Sequence, residues 1–156
     1  MNDQDVQNAV GVFFTAVDEC DWPRLVAGMS TPIHVDYESF GAGPPTDLEP
    51  EALVAGWMEL LPGFDHTHHQ LGNLQVQVGG TAARVQAYVT ATHTLGAAIW
   101  TVVGRYDIGL THSEEGWQLS RLRLHYKYQD GARELPERAR ERVRAGEGRP
   151  SSRSSE

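Results

Sequence analysis

The hydrophobic period of this chain changes once, near His66, and that change constrains its fold more than any other feature. Before it, apolar residues recur at helical spacing: Val6, Val10, Phe13 and Val17 form one stripe, and Leu53, Trp57 and Leu60 another. After it, they alternate. Leu74, Val76 and Val78 interleave with Gln75 and Gln77. Ala83, Val85, Ala87, Val89, Ala91, His93 and Leu95 interleave with Arg84, Gln86, Tyr88, Thr90 and Thr92. Trp100, Val102, Tyr106, Ile108 and Leu110 share the next face, and Leu122, Leu124 and Tyr126 the last. Gly79-Gly80 and Glu114-Glu115-Gly116 supply tight turns. Helices followed by long, closely joined strands predict an α+β domain with a mostly antiparallel sheet. A sheet curved around the long first helix leaves a pocket at the open end of a cone.

The boundaries follow from local chemistry. Asn2 or Asp3 caps the first helix, and Pro23 starts a short second one over residues 22–29. Residues 31–40 read as a strand with Ile33, Val35 and Tyr37 on one face, and 41–46 as a loop. A third helix covers 49–61 and stops at Pro62-Gly63. The domain is expected to occupy residues 1–132. Residues 133–156 are expected to be a charged helical tail, solvated and fraying, with disorder from about 147.

Charge narrows the partners. The formal net charge is −8, and the tail, with seven Arg against five Asp or Glu, carries +2, which leaves residues 1–132 at −10. So acidic a body argues against a nucleic-acid backbone as ligand. The single cysteine, Cys20, excludes an intrachain disulfide. No apolar run approaches membrane-spanning length and the N-terminus has no apolar signal core, so the expected location is the cytoplasm.

Few residues carry chemistry. His93 ends a stripe of small apolar side chains, where an imidazole must find a partner. Taken alone it reads as a core histidine bonded to a backbone carbonyl, although the small residues around it also leave room for a ligand. Asp18 sits in the acidic run with Glu19 and Asp21 and by helix geometry alone reads as solvated. His66 and His68, on one strand face, suggest a metal only weakly, because no second cysteine or spaced carboxylate accompanies them. His69 shares the inward face only if a bulge near Gly72 shifts the strand by one residue; otherwise His68 takes that place.

The stretch Asp21-Trp22-Pro23-Arg24-Leu25, then Pro32, then Asp36-Tyr37-Glu38-Ser39-Phe40 resembles the scytalone dehydratases. These are SnoaL-like members of the nuclear transport factor 2-like superfamily. His69 followed by Gly72, with His93 further on, matches the positions of that family's two histidines. The resemblance runs over roughly residues 13–125. It implies an NTF2-like cone of three N-terminal helices on a curved sheet. It also implies a cofactor-free, metal-free dehydratase with Asp18, Tyr37, His69 and His93 catalytic. On this reading Asp18 pairs with His93 as base, Tyr37 stabilises the enolate oxygen and His69 protonates the departing hydroxyl, the two histidine roles being exchangeable. Tyr106, Val17, Trp57, Val89, Trp100 and Leu122 are the expected substrate contacts. The family's second tyrosine, beside the aspartate, is replaced here by Val17. An isomerase or polyketide cyclase of the same fold is the alternative, and a non-catalytic binding or dimerisation module the next. A homodimer through the outer sheet face is expected, with Trp117, Leu119, Arg121 and Arg123 on one side of the last strand and Arg84, Gln86 and Tyr88 beside them.

Overall fold

In the computed structural model, which describes residues 2–151, two helices, two strands and a third helix precede four long strands, and the six strands form one sheet. Helix α1 spans Asp3–Glu19. Asn2 caps it by accepting from the Asp5 N–H at 3.0 Å, while the Asp5 carboxylate accepts from the Asn2 N–H at 3.4 Å. Its stripe of Val6, Val10, Phe13, Phe14 and Val17 is buried. Helix α2 spans Trp22–Ala27, with Asp21 as cap and Pro23 in its first turn. Helix α3 spans Pro50–Met58.

Strands β1 (Met29–Asp36), β2 (Thr46–Leu48), β3 (His66–Gly79), β4 (Ala82–Leu95), β5 (Ala98–Ser113) and β6 (Gly116–Gly131) form one sheet in the order β2-β1-β6-β5-β4-β3. All neighbours are antiparallel except β1 and β6. The long meander β3 to β6 follows from tight turns, whereas β1 reaches β6 through the intervening chain and so pairs parallel to it. Strand β1 ends at Asp36. Tyr37 lies just beyond it, capping a 3-10 turn over Glu38–Phe40, rather than inside the strand as its alternation suggests.

Three one-residue bulges curve the sheet and reset which side chains face inward. In β3, Gly72 pairs with Tyr88 and Gln75 with Gln86, so Asn73 and Leu74 both oppose Ala87. Asn73 takes the left-handed backbone conformation that this extra residue needs (φ 51°). The bulge therefore falls one residue after Gly72. It lets Thr67, His69 and Leu71 share the inner face with Leu74 and Val76. A second bulge in β6, at Ser120, corrects the expected outer face: Leu119 pairs with Leu110 and is 1 % exposed, so it belongs to the core and not beside Arg121. Trp117 likewise packs against the core and His112.

The C-terminal segment differs from the solvated tail expected of its charge. Helix α4 (Leu135–Arg144) buries Leu135 and Ala139 completely. It lies against the 3-10 turn Leu61–Gly63 so tightly that a Cβ on Gly63 would come 1.9 Å from the Ala139 carbonyl oxygen. Arg142 fixes the contact by donating to the Gly63 carbonyl at 2.8 Å and to Asp65 Oδ1 at 2.9 Å. Residues 147–151, expected to be disordered, run back along that turn. Of the expected disordered stretch, residues 152–156 lie outside the described residues.

Candidate active site

The last turn of α1 delivers Asp18 to β3. Its carboxylate accepts three hydrogen bonds: from His69 Nδ1 at 2.7 Å, from the His69 backbone N–H at 2.9 Å and from the Thr67 hydroxyl at 3.2 Å. Burial alone would raise the Asp18 pKa. The bonds from His69 and Thr67 outweigh burial, so the carboxyl sits below its ordinary value and is ionised at neutral pH. Because a carboxylate only accepts, His69 donates from Nδ1, and in the neutral ring Nε2 is the nitrogen left to accept.

This geometry corrects the expected Asp18–His93 pairing. The sheet order explains it: β3 is the edge strand over which α1 packs, so Asp18 reaches β3 before β4. His93 instead bonds through Nδ1 to the Trp100 carbonyl oxygen at 3.0 Å, the core-histidine arrangement its sequence setting suggests. Its ring is packed by Trp100 at 4.3 Å and Phe64 at 4.8 Å between centroids. Burial drives its pKa down to about 4. His93 is thus neutral at pH 7, with Nδ1–H committed to the carbonyl and Nε2 able only to accept. The His69 and His93 rings lie edge to face, 6.3 Å apart.

The two tyrosines meet. Tyr37 Oη and Tyr106 Oη are 3.0 Å apart, so the second hydroxyl that Val17 cannot provide comes from β5. One hydroxyl proton is used between the pair and the other is left to donate. Burial pushes the Tyr37 phenol well above its ordinary value and the Tyr106 phenol up to about 12, so both stay protonated donors. Phe14 links the two halves, its ring 5.6 Å from His69 and 5.1 Å from Tyr106.

The expected apolar contacts divide. Trp57 is half-buried against Phe13. Trp100 packs on His93 and donates from Nε1 to Gln129 Oε1 at 2.9 Å. Val17 and Val89 are buried core residues. Leu122, with no exposure, belongs to the core and cannot touch a ligand in this packing. His68, the fallback for His69, is exposed on the outer face and bonded to Gln70 at 3.1 Å. His66, its suggested metal-binding neighbour, is exposed as well. A groove of about 400 Å³ between α1 and β3, edged by Gly11, Thr15, Leu71 and His68, opens beside Asp18 and His69.

Sequence reasoning missed Thr67 and Phe14. Thr67 pairs directly with His93 across the strands, so shared parity was the available signal. Phe14 sits four residues before Asp18, on the same face of α1.

Comparison with known proteins agrees with this architecture. No curated protein matches the chain. Among solved structures, the Kfla4162 protein from Kribbella flavida is 26 % identical with a TM-score of 0.76, covering 88 % of this chain and 95 % of its own. A candidate scytalone dehydratase from Novosphingobium aromaticivorans is 16 % identical with a TM-score of 0.70, covering 83 % and 86 %. A hexachlorocyclohexane dehydrochlorinase, LinA-type3 from Novosphingobium barchaimii, is 16 % identical with a TM-score of 0.68, covering 83 % and 89 %. These likenesses show the NTF2-like cone. The sequence profile of the SnoaL-like domain matches residues 2–123, a span holding both the Asp18–His69 and the Tyr37–Tyr106 pairs, and the chain belongs to the SnoaL-like domain family.

Proposed function

We propose that this protein is a cofactor-free lyase that eliminates water β to a carbonyl on a small cyclic, polyketide-like substrate. The observation that carries the reading is the Asp18–His69 pair, in which the carboxylate accepts from three donors and holds the His69 ring by its Nδ1. His69 Nε2 takes the proton from the α-carbon. Asp18 fixes the ring and stabilises the imidazolium that forms. The remaining hydroxyl proton of the Tyr37–Tyr106 pair, directly or through a water, meets the developing enolate oxygen. The His69 imidazolium then returns its proton to the departing hydroxyl, so one residue serves as base and acid. His93, neutral, accepts a hydrogen bond that orients that hydroxyl or a water. Base, acid and oxyanion donor together suffice for an activated C–H bond. The dehydratase and dehydrochlorinase neighbours support proton removal with loss of a leaving group as the shared chemistry.

Incubation with cyclic β-hydroxyketones in deuterated water tests this. Loss of the mass of one water is the expected result. Deuterium uptake at the α-carbon without water loss would favour the isomerase or cyclase reading. Neither change, across ketones that bind, would leave a binding module. Tyr37→Phe should lower kcat by roughly 10²–10³, the scale of one oxyanion donor; a wild-type kcat would remove the tyrosines from the chemistry.

The outer sheet face is proposed as a homodimer interface. After the correction at Leu119 it comprises Arg84, Tyr88, Arg105, Arg121 and Arg123. Tyr88 is half exposed beneath the Lys127 ammonium at 4.4 Å, and Arg84 forks onto Asp107 with two bonds of 2.9 Å. Light scattering at micromolar concentration should report twice the chain mass; a 17.2 kDa species would refute it.

A further inference from the structure

Helix α1 ends without a basic residue in its last turn. Its final carbonyls carry the negative end of the helix dipole. The Ala16 and Val17 carbonyls are met locally, by the Asp21 N–H at 2.9 Å and the Cys20 N–H at 3.2 Å, whereas the group that meets the Asp18 carbonyl comes from the other end of the chain. After α4, Gly146 turns the backbone through a left-handed conformation (φ 77°), and the Glu147 N–H returns to the Arg142 carbonyl at 2.9 Å. Gly148 lies flat on Pro62, where a Cβ would come within 3.2 Å of the proline ring. The Arg149 N–H then donates to the Pro62 carbonyl at 2.7 Å. The sequence Gly-Glu-Gly-Arg is thus a strap, with one glycine for the turn and one for the close approach.

The strap ends on the site. Arg149 Nη1 donates to the backbone carbonyl of Asp18 at 2.8 Å, and Nη2 donates to the Thr67 hydroxyl at 3.2 Å and to the Leu61 carbonyl at 3.4 Å. A guanidinium has no acceptor, so Thr67 Oγ1 must accept from it. That directs the Thr67 proton to Asp18 Oδ1, the oxygen that also holds His69 Nδ1. Arg149 therefore grips Asp18 twice, at its main chain and through Thr67 at its carboxylate.

We propose that Arg149 is a positioning residue that holds Asp18 in register with His69, and that the C-terminal strap is part of the active-site apparatus although it lies beyond the residues the family profile matches. The proposal rests on the Asp18–His69 pair of the proposed function, and the following test has a readout that needs no substrate. The proton between His69 Nδ1 and Asp18 Oδ1, in a short charge-assisted bond, gives a downfield proton resonance, assigned by its loss in Asp18→Asn.

In Arg149→Gln that resonance should broaden into exchange with water or move upfield. On any substrate turned over, kcat should fall by roughly tenfold or more, the scale of a misplaced catalytic group. KM should hold and Arg149→Lys should not restore the rate, because an ammonium cannot span both acceptors. A lower melting temperature with an unchanged resonance and kcat would overturn the proposal and leave Arg149 as a structural staple only. Should Arg149→Gln fail to fold, Arg149→Lys, which keeps the charge and stem, is read by the same resonance. If no ketone is turned over by the wild type, the proposed reaction fails, while persistence or loss of the resonance still decides the role of Arg149.

Discussion

Alanine in place of His69 should lower kcat by roughly 10²–10⁴, the range for losing a general base. Asp18→Asn should approach the same loss although it is nearly isosteric. The carboxylate accepts from two donors of His69 and one of Thr67. An amide offers one accepting oxygen, so its NH₂ must face a donor, and it cannot stabilise the imidazolium. The double variant should be little worse than either single one, because the pair acts as a unit. The contrast with His93 is the decisive part. Its lone pair belongs to a weak base, so His93→Asn should alter substrate orientation, and hence KM, more than the proton-transfer step. Steady-state rates for the four variants over a range of pH settle the assignment. Activity surviving in His69→Ala but lost in His93→Asn would return the base role to His93.

Phe64→Ala should cost about 3–5 kcal/mol of stability, the usual range for deleting a buried aromatic ring. The ring is fully buried and packs against both His93 and Trp100. The effect should also change with pH in a particular way. The folded-state pKa of His93 is about 4, below its ordinary 6.5, because burial penalises the charged ring. A depressed histidine pKa means that the folded protein keeps its full stability above pH 6.5 and loses it as the pH falls toward 4. The loss reaches about 3 kcal/mol once the ring must be protonated. Asp18, held below its ordinary 3.8, adds a second acid loss only below that value. Removing Phe64 opens space beside His93 to water and relieves the penalty, so the variant should be less stable at neutral pH yet lose less between pH 6.5 and 4. Urea midpoints across that window measure both curves, and parallel curves would dissociate Phe64 from the protonation of His93.

The parts of this protein that are periodic were readable, and those that depend on a single break in the period were not. The stripe on α1 and the inward faces of β4 and β5 follow from spacing alone. The alternation in β6 predicted Leu122 and Leu124 inside but placed Leu119 outside, because nothing about Ser120 announces a bulge. The four residues proposed for the chemistry were singled out through their residue types and the family likeness, yet the carboxylate of Asp18 is bonded to His69 and not to His93 as the sequence reading paired it. Thr67, His69 and His93 all face inward; which of them α1 meets depends on β3 being the edge strand, a property of strand order that no local pattern encodes. The Tyr37–Tyr106 pair joins the turn just after β1 to β5, and β1 and β5 are not neighbours but lie on either side of β6. The tail was misread because its many charges obscured two apolar residues, Leu135 and Ala139, one helical turn apart.

The extra residue at Asn73 has a consequence for how such a site can change. The two halves of β3 are out of phase, and the phase is set by a count of residues, not by the identity of any of them. Removing one residue there would turn His69 to solvent and His68 to the interior with no side chain at the site altered, while inserting one elsewhere in the strand could bring His69 back. The imidazole that faces inward is thus addressed by length. Two relatives could carry the same His-His dipeptide and present different members of it, so aligning their columns would conceal the difference that matters, whereas matching their strand phase would reveal it.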